Sequence, residues 1–283
     1  MRGSLLRCRP LQLTAVVIIF GAFSLMATLP IQAQTSTSSV KTSHQDKVPG
    51  GTILPVVLRS SFSFSKCAPG QILHGKIAQD VPLPNGSKIR KGSNIEGHVV
   101  KVTPAASGAS EKVSIQFDKL YVAGQWTPIV TNLRAIAGFM TILEAGVPEE
   151  TTSEGTPYNW LPTTQIGGDT VYGVMGPVMS AEDGSEVVGK SMGDGVLARV
   201  RSKEGTNCRG AVDGNDSPQA LWVFSSDACG VYGIEHLKID HAGRTDTVGT
   251  ISLASDKSNL KIPSGTGLLL RVNSISRDLT TMS

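Results

Sequence analysis

Residues Lys112–Leu120 read KVSIQFDKL, and their alternation decides the fold class. Val113, Ile115 and Phe117 fall on one side of an extended chain, and Ser114, Gln116 and Asp118 on the other. That is the period of a half-buried strand. The neighbouring sequence repeats the theme. Thr52–Leu58 (TILPVVL) is a β-branched run, Ile72–Gln79 (ILHGKIAQ) is mixed, and Ile95–Val102 (IEGHVVKV) alternates. Between the last two, Pro82-Leu83-Pro84-Asn85-Gly86 breaks the pattern, with Asn-Gly a strong turn signal. Further strands are expected at Val196–Val200, Ala220–Phe224, Glu235–Asp240, Val248–Leu253 and Gly267–Val272. Glycine supplies 31 of 283 residues and aromatics only 5%, which suits many short strands joined by tight turns. The expected fold is mainly β: a β-barrel or β-sandwich with Gly-rich turns, one short packed α-helix and a disulfide-containing second half.

The helix is expected over 132–145 (NLRAIAGFMTILEA), where Leu133, Ile136, Met140 and Leu143 are spaced by three and four. Thr131 or Asn132 can cap its start, Gly146 can close it, and Pro148 prevents continuation. Its place is over an open end of the barrel or sandwich. Its broad, nearly uncharged apolar face also fits a helix dipping into a membrane.

A five-residue pattern recurs at uneven spacing. Val48-Pro-Gly-Gly51-Thr52, Ile89-Arg-Lys-Gly92-Ser93 and Ile262-Pro-Ser-Gly265-Thr266 each read apolar-x-x-Gly-Ser/Thr before an apolar run. Glycine tolerates positive φ at a bend, and a nearby hydroxyl can bond the backbone. The uneven spacing marks a reused turn and not a solenoid repeat.

The N-terminus is of a different kind. Arg2, Arg7 and Arg9 precede an apolar stretch centred on Ala15–Ala27, and small Ala33 follows Pro30. Basic, apolar, then small is the order of a secretory signal peptide, here residues 1–33. Removing it takes three arginines and no acid, leaving 23 basic against 23 acidic residues. The overall basic balance therefore belongs to the export signal. Nucleic-acid binding, which draws on clustered Lys and Arg, is set aside: the densest group is Lys88-Ile89-Arg90-Lys91. Cys8 precedes the apolar core, so no lipoprotein signal is present. The only route to a membrane span is an uncleaved Leu11–Leu29. Residues 34–50 carry just Val40 and Val48 as apolar side chains and read as a flexible tether. A β-domain follows over 51–147. A second β-rich region spans 148–283, and its tail, 260–279, is expected to complete the first sheet.

The run from Gly51 to Val102, with VSIQFDKLYVAGQWTPI after it, resembles the β-domain of TrbI-like proteins, which form the outer-membrane core of type IV secretion and conjugation machines. The matching features are Gly51-Thr52, Pro69-Gly70, Gln79, Gly92-Ser93, Gly97 and Phe117-Asp118-Lys119-Leu120. The tail from Ile262-Pro263-Ser264-Gly265 to Arg277-Asp278-Leu279 is similar to that family's closing strand. The cytoplasmic segment, the proline-rich stalk and the pair of pore-forming helices of that family have no counterpart here. As a whole the chain looks closer to uncharacterised exported bacterial proteins that join this β-domain to a Cys-containing half. The resemblance implies a fold and a compartment but no activity.

Several motifs invite catalytic readings. Gly184-Ser-Glu-Val-Val-Gly189-Lys190-Ser191 fits a phosphate-binding loop, but that loop needs a helix starting at the lysine, and Met192-Gly193-Asp194-Gly195 follows. Gly189-Lys190-Ser191-Met192-Gly193 fits a nucleophile elbow, with Asp213, Asp216 and Asp227 and then His236 and His241 in the right order. An elbow needs an alternating α/β chain, so a Gly-rich β-turn is expected instead. Ser63-Phe64-Ser65-Lys66 fits S-x-x-K without its companion motifs. His236 and His241 stand an odd number of residues apart in an expected strand, on opposite faces. Asp213-Gly-Asn-Asp216 lacks calcium-loop spacing. No catalytic, cofactor or metal residue is assigned.

Loss of Cys8 with the signal leaves Cys67, Cys208 and Cys229. Oxidising compartments favour disulfides, and Cys208 and Cys229 flank a turn-rich segment that a bridge would tie down. Cys67 is then either a buried thiol or the partner in a mixed or intermolecular disulfide. The functional expectation is an exported cell-envelope protein, periplasmic, outer-membrane associated or secreted, that binds or supports. Its partners are unknown, with envelope or outer-membrane proteins the candidates. The alternatives are a component of an envelope-spanning secretion or export assembly, and a hydrolase within 148–255.

Overall fold

The computed structural model describes residues 48–105, 110–149, 155, 157, 160–202, 208 and 217–274. The expected signal peptide, residues 34–47 of the tether, Asp213, Asp216 and residues 275–279 lie outside the described residues. The chain runs through β1 (Ile53–Leu58), β2 (Phe62–Ser63), β3 (Ile72–Ile77), β4 (Val81–Pro82), β5 (Lys88–Ile89), β6 (Asn94–Thr103), β7 (Glu111–Val122), β8 (Gln125–Pro128) and β9 (Thr131–Ala137) to α1 (Phe139–Ala145). A meander follows: β10 (Pro162–Thr164), β11 (Thr170–Tyr172), β12 (Pro177–Met179), β13 (Val187–Met192), β14 (Gly195–Ala198) and β15 (Gln219–Trp222). The chain closes with β16 (Gly230–Tyr232), β17 (Leu237–His241), β18 (Ile251–Ser255), β19 (Lys261–Ile262) and β20 (Gly267–Val272).

The fold is mainly β, as its alternation requires. The first sheet is nearly closed and barrel-like, in the order β16-β9-β20-β1-β3-β6-β7-β18-β17, with β8 paired to β7. The second is a six-stranded half-barrel, β10 to β15 in chain order. Strand β20 lies between β1 and β9, antiparallel to both. The return to the first sheet starts well before residue 260, since β16, β17 and β18 also belong to it.

The recurrent Gly turns build the barrel's central strands, and one set of hydrogen bonds serves each copy. Gly51, Gly92 and Gly265 have φ of 85°, 83° and 91°. In the first copy Gly51 N–H donates to Val272 O, and Val272 N–H donates back to Thr52 O. Gly92 and Ser93 make the same exchange with Ile77, and Gly265 and Thr266 with Leu58. A fourth copy without the hydroxyl is Cys67-Ala-Pro-Gly70-Gln71, where Gly70 and Gln71 exchange bonds with Val99. The leading apolar residues Val48, Ile89 and Ile262 are buried in the barrel core, and Cys67 packs against it. Each turn thus fastens the start of one strand to its antiparallel neighbour. Val48 also brings the last residues of the expected tether into the fold.

The helix expected over 132–145 is corrected. Residues Thr131–Ala137 are strand β9, and only Phe139–Ala145 are helical. The strand is buried throughout, so no polar alternation marks it. Leu133 and Ile136 both face the barrel core although three residues apart. A bulge causes this: β20 Leu270 pairs with Leu133 and Leu269 with Ala135, leaving Arg134 as the extra residue. A bulged strand thereby copied helical spacing.

Two cores meet across β1, β9 and β20. Leu54, Leu133 and Leu268 fill the barrel, whereas Ile53, Ala135 and Leu269 face a second core shared with the half-barrel's Val178, Val196 and Leu221. Sheets buried on both faces lose the clean alternation of half-buried ones.

Candidate functional site

The barrel stops just short of closure between β9–β16 and β17. Leu133 N–H bonds Ala242 O across the seam, beside a cavity of about 520 Å³. The β9 bulge turns Arg134 into this wall, and Arg271 on β20 and Arg244 beyond β17 also line it. The Cys208–Cys229 disulfide, with Cα atoms 5.8 Å apart, forms part of its rim. Arg134 is buried; its guanidinium donates to the carbonyl oxygens of Arg201 and Ser226. Burial, with Arg271 nearby, lowers its pKa to about 10. Leu133, Leu237 and Ile239 add an aliphatic wall.

A second feature is apolar and outward. Helix α1 buries only Ile142 and Ala145, leaving Phe139, Met140 and Leu143 exposed. Gly267 packs against Ile142, so the helix is held over the start of β20 while its other face meets solvent. Trp160, Val174 and Met175, which line a separate cavity, are also exposed, Trp160 at 69% and Met175 at 71%. A cleft of about 460 Å³ is lined by Ala145 and Pro148 at the C-terminal end of the helix, by Val174, and by polar residues that include Lys91, Ser191 and Asp194.

The catalytic-looking motifs dissolve into strands and turns. Gly189-Lys190-Ser191 lies within β13 instead of the expected turn, and β13 pairs with β14. Ser191 is buried and its hydroxyl donates to Val174 O at 2.9 Å. His236 sits before β17 with Nδ1 2.8 Å from Asp256, and Asp227 accepts from the Ser225 hydroxyl. No triad is assembled from these residues. Lys66 N–H and Cys67 N–H both bond Ser63 O, so the S-x-x-K stretch is a turn.

Cys208 and Cys229 are bridged, and Cys67 is a half-buried free thiol. Burial pushes the Cys67 pKa up, and its Sγ lies 3.6 Å from Phe64 O. Disulfides form and persist in oxidising, exported compartments. No helix among the described residues is long and apolar enough to cross a membrane.

The seam was not picked out in the sequence, whereas Met140 and Leu143 of the exposed face are read there as part of one broad apolar helix face. One signal was present: Arg134 is the single charge in the run NLRAIA, where a bulge now places it. No protein-family model matches the chain, and no curated protein or solved structure is significantly similar to it.

Proposed function

We propose that this is an exported bacterial cell-envelope protein, of the periplasm or outer-membrane surface, that works by binding another envelope protein. The exposed apolar face of α1 with Trp160, Val174 and Met175 carries the reading. Exposed apolar surface of this kind marks an interaction site, because leaving it wet costs about 25 cal/mol per Å². Catalysis finds no support at Ser191, whose hydroxyl is already engaged.

A place in an envelope-spanning secretion or export assembly is the second reading. Gly51-Thr52, Pro69-Gly70, Gly92-Ser93 and Ile262–Gly265, which carry the resemblance to the secretion-core β-domain, are the four equivalent turns of one sheet. A shared structural job makes their joint match harder to attribute to chance composition.

Photo-crosslinking in cells tests the proposal. A photoreactive residue at Met140 or Met175 is expected to trap a discrete envelope protein, and one at exposed Lys76 on β3 is not. Trapping nothing at both methionines, or the same products at all three positions, contradicts it.

A further inference from the structure

We infer that His241 is a proton-operated latch on the barrel seam: its protonation withdraws a hydrogen bond that holds the Ala242–Gly243 peptide and so loosens the Leu133–Ala242 contact. The inference is independent of the apolar face around α1. One peptide unit is gripped from both sides. Its carbonyl, Ala242 O, accepts from Leu133 N–H across the seam at 2.9 Å, and its N–H, on Gly243, donates to His241 Nδ1 at 3.0 Å. The same Nδ1 lies 2.9 Å from Thr250 O, and Nε2 lies 3.1 Å from the Thr245 hydroxyl. One nitrogen cannot serve both of its neighbours, because Nδ1 accepts only when bare and donates only when protonated. A neutral ring with its proton on Nε2 accepts from Gly243 and donates to Thr245. The imidazolium donates from Nδ1 to Thr250 O instead and turns positive charge on the Gly243 N–H.

The surroundings set this histidine apart. His74, His98 and His236 each lie against a carboxylate, that of Glu96, Asp118 and Asp256 in turn. His241 meets a carbonyl, a hydroxyl and a main-chain amide. The charged side chains about it are Arg244 and Asp246 of the loop that follows, Lys238 and Asp240 of its own strand, Arg134 of β9 and Arg271 of β20. Asp240 is paired with Lys112 of β7, and the cross-strand partner on β18 is uncharged Ser252. Among the described residues no ladder joins the sheet's two ends, β16 and β17, so the Leu133–Ala242 bond carries across the gap. The rest of the loop is tied independently: Gly243 O accepts from Gly249 N–H at 2.8 Å and from the Asn273 side chain at 3.3 Å. Protonation therefore frees one peptide at the seam without releasing the whole loop.

Amide hydrogen exchange of the purified, disulfide-bonded chain, followed residue by residue by NMR and corrected for the intrinsic rate, tests the latch. Leu133 N–H is expected to lose protection about five- to tenfold between about pH 7.5 and about pH 5, while Ile77 N–H, bonded to Ser93 O, keeps its own. The Gly243 amide signal is expected to shift with the same midpoint as the His241 ring. His241→Asn offers Gly243 a carbonyl oxygen that does not titrate, and is expected to hold Leu133 protection constant within about twofold. Unchanged Leu133 protection in the natural sequence means that the neutral ring already donates to Thr250, and overturns the latch. An equal loss in His241→Asn, or an equal loss at Ile77, overturns it as well. If the variant does not fold, the Gly243 signal decides alone: a midpoint unrelated to that of the His241 ring contradicts the proposal.

Discussion

The side-chain amide of Gln79 accepts a hydrogen bond from the main-chain N–H of Trp222 at 2.6 Å and donates to Val196 O at 3.0 Å. Gln79 follows β3 of the barrel, while Val196 and Trp222 belong to β14 and β15 of the half-barrel. One buried amide therefore pins the two sheets together, and it does so where β14 and β15 slip register. Gln79→Ala strands both main-chain groups and is expected to cost about 2–4 kcal/mol. Urea melts measure it, and a loss below about 0.5 kcal/mol would show that the sheets dock without this pin.

Gly92 isolates the conformational demand of the recurrent turn. Its φ is 83° and an added Cβ meets nothing within 4 Å, so only backbone strain opposes a side chain. Gly92→Ala is expected to destabilise by about 1–2 kcal/mol, and Gly92→Asn by less. Equal stability of all three proteins in thermal melts contradicts the role given to the turn.

Strand β20 is buried along its whole length between β1 and β9. Leu268, Leu269 and Leu270 alone contribute about 5–9 kcal/mol of burial. That is comparable with the whole stability of a typical domain. Deleting residues 258–283 is therefore expected to abolish cooperative unfolding. A truncated chain that stays soluble with a sharp melt contradicts the single-barrel architecture.

Fold class was legible because β6 and β7 are half-buried and alternate. Where a strand is buried on both faces the signal fails. In β9 the bulge at Arg134 set Leu133 and Ile136 at a helical interval, and only the stretch from Phe139 is helical. The recurrent turns were legible as composition, but their shared hydrogen bonds were not, because each partner lies on a neighbouring strand. The seam was illegible for a related reason. Arg134, Arg244 and Arg271 come from three separate segments that only the sheet order unites.

Lys190 and Ser191 separate chance motif from chemistry. Lys190 is exposed on β13, and Lys190→Ala is expected to stay within about 0.5 kcal/mol. Ser191→Ala leaves Val174 O without its donor and is expected to cost about 1 kcal/mol. Neither the unaltered protein nor either variant is expected to change its melting temperature on addition of ATP and magnesium. A rise with nucleotide that Lys190→Ala removes would overturn the structural reading of this strand.

The bridge between Cys208 and Cys229 closes a separation of 21 residues. Replacing both by Ala is expected to lower stability by about 3 kcal/mol in the chain-entropy model. Denaturant melts of the two proteins compare them directly, and equal midpoints would mean that the bridge adds nothing to the fold.

Export is the claim on which the envelope role depends, and fractionation of cells producing the tagged full chain, with thiols alkylated at lysis, tests it most directly. The expected result is protein in the periplasmic or outer-membrane fraction, lacking residues 1–33, with Cys208 and Cys229 protected and Cys67 alkylated. Full-length protein in the cytoplasm with all of its thiols alkylated would contradict it.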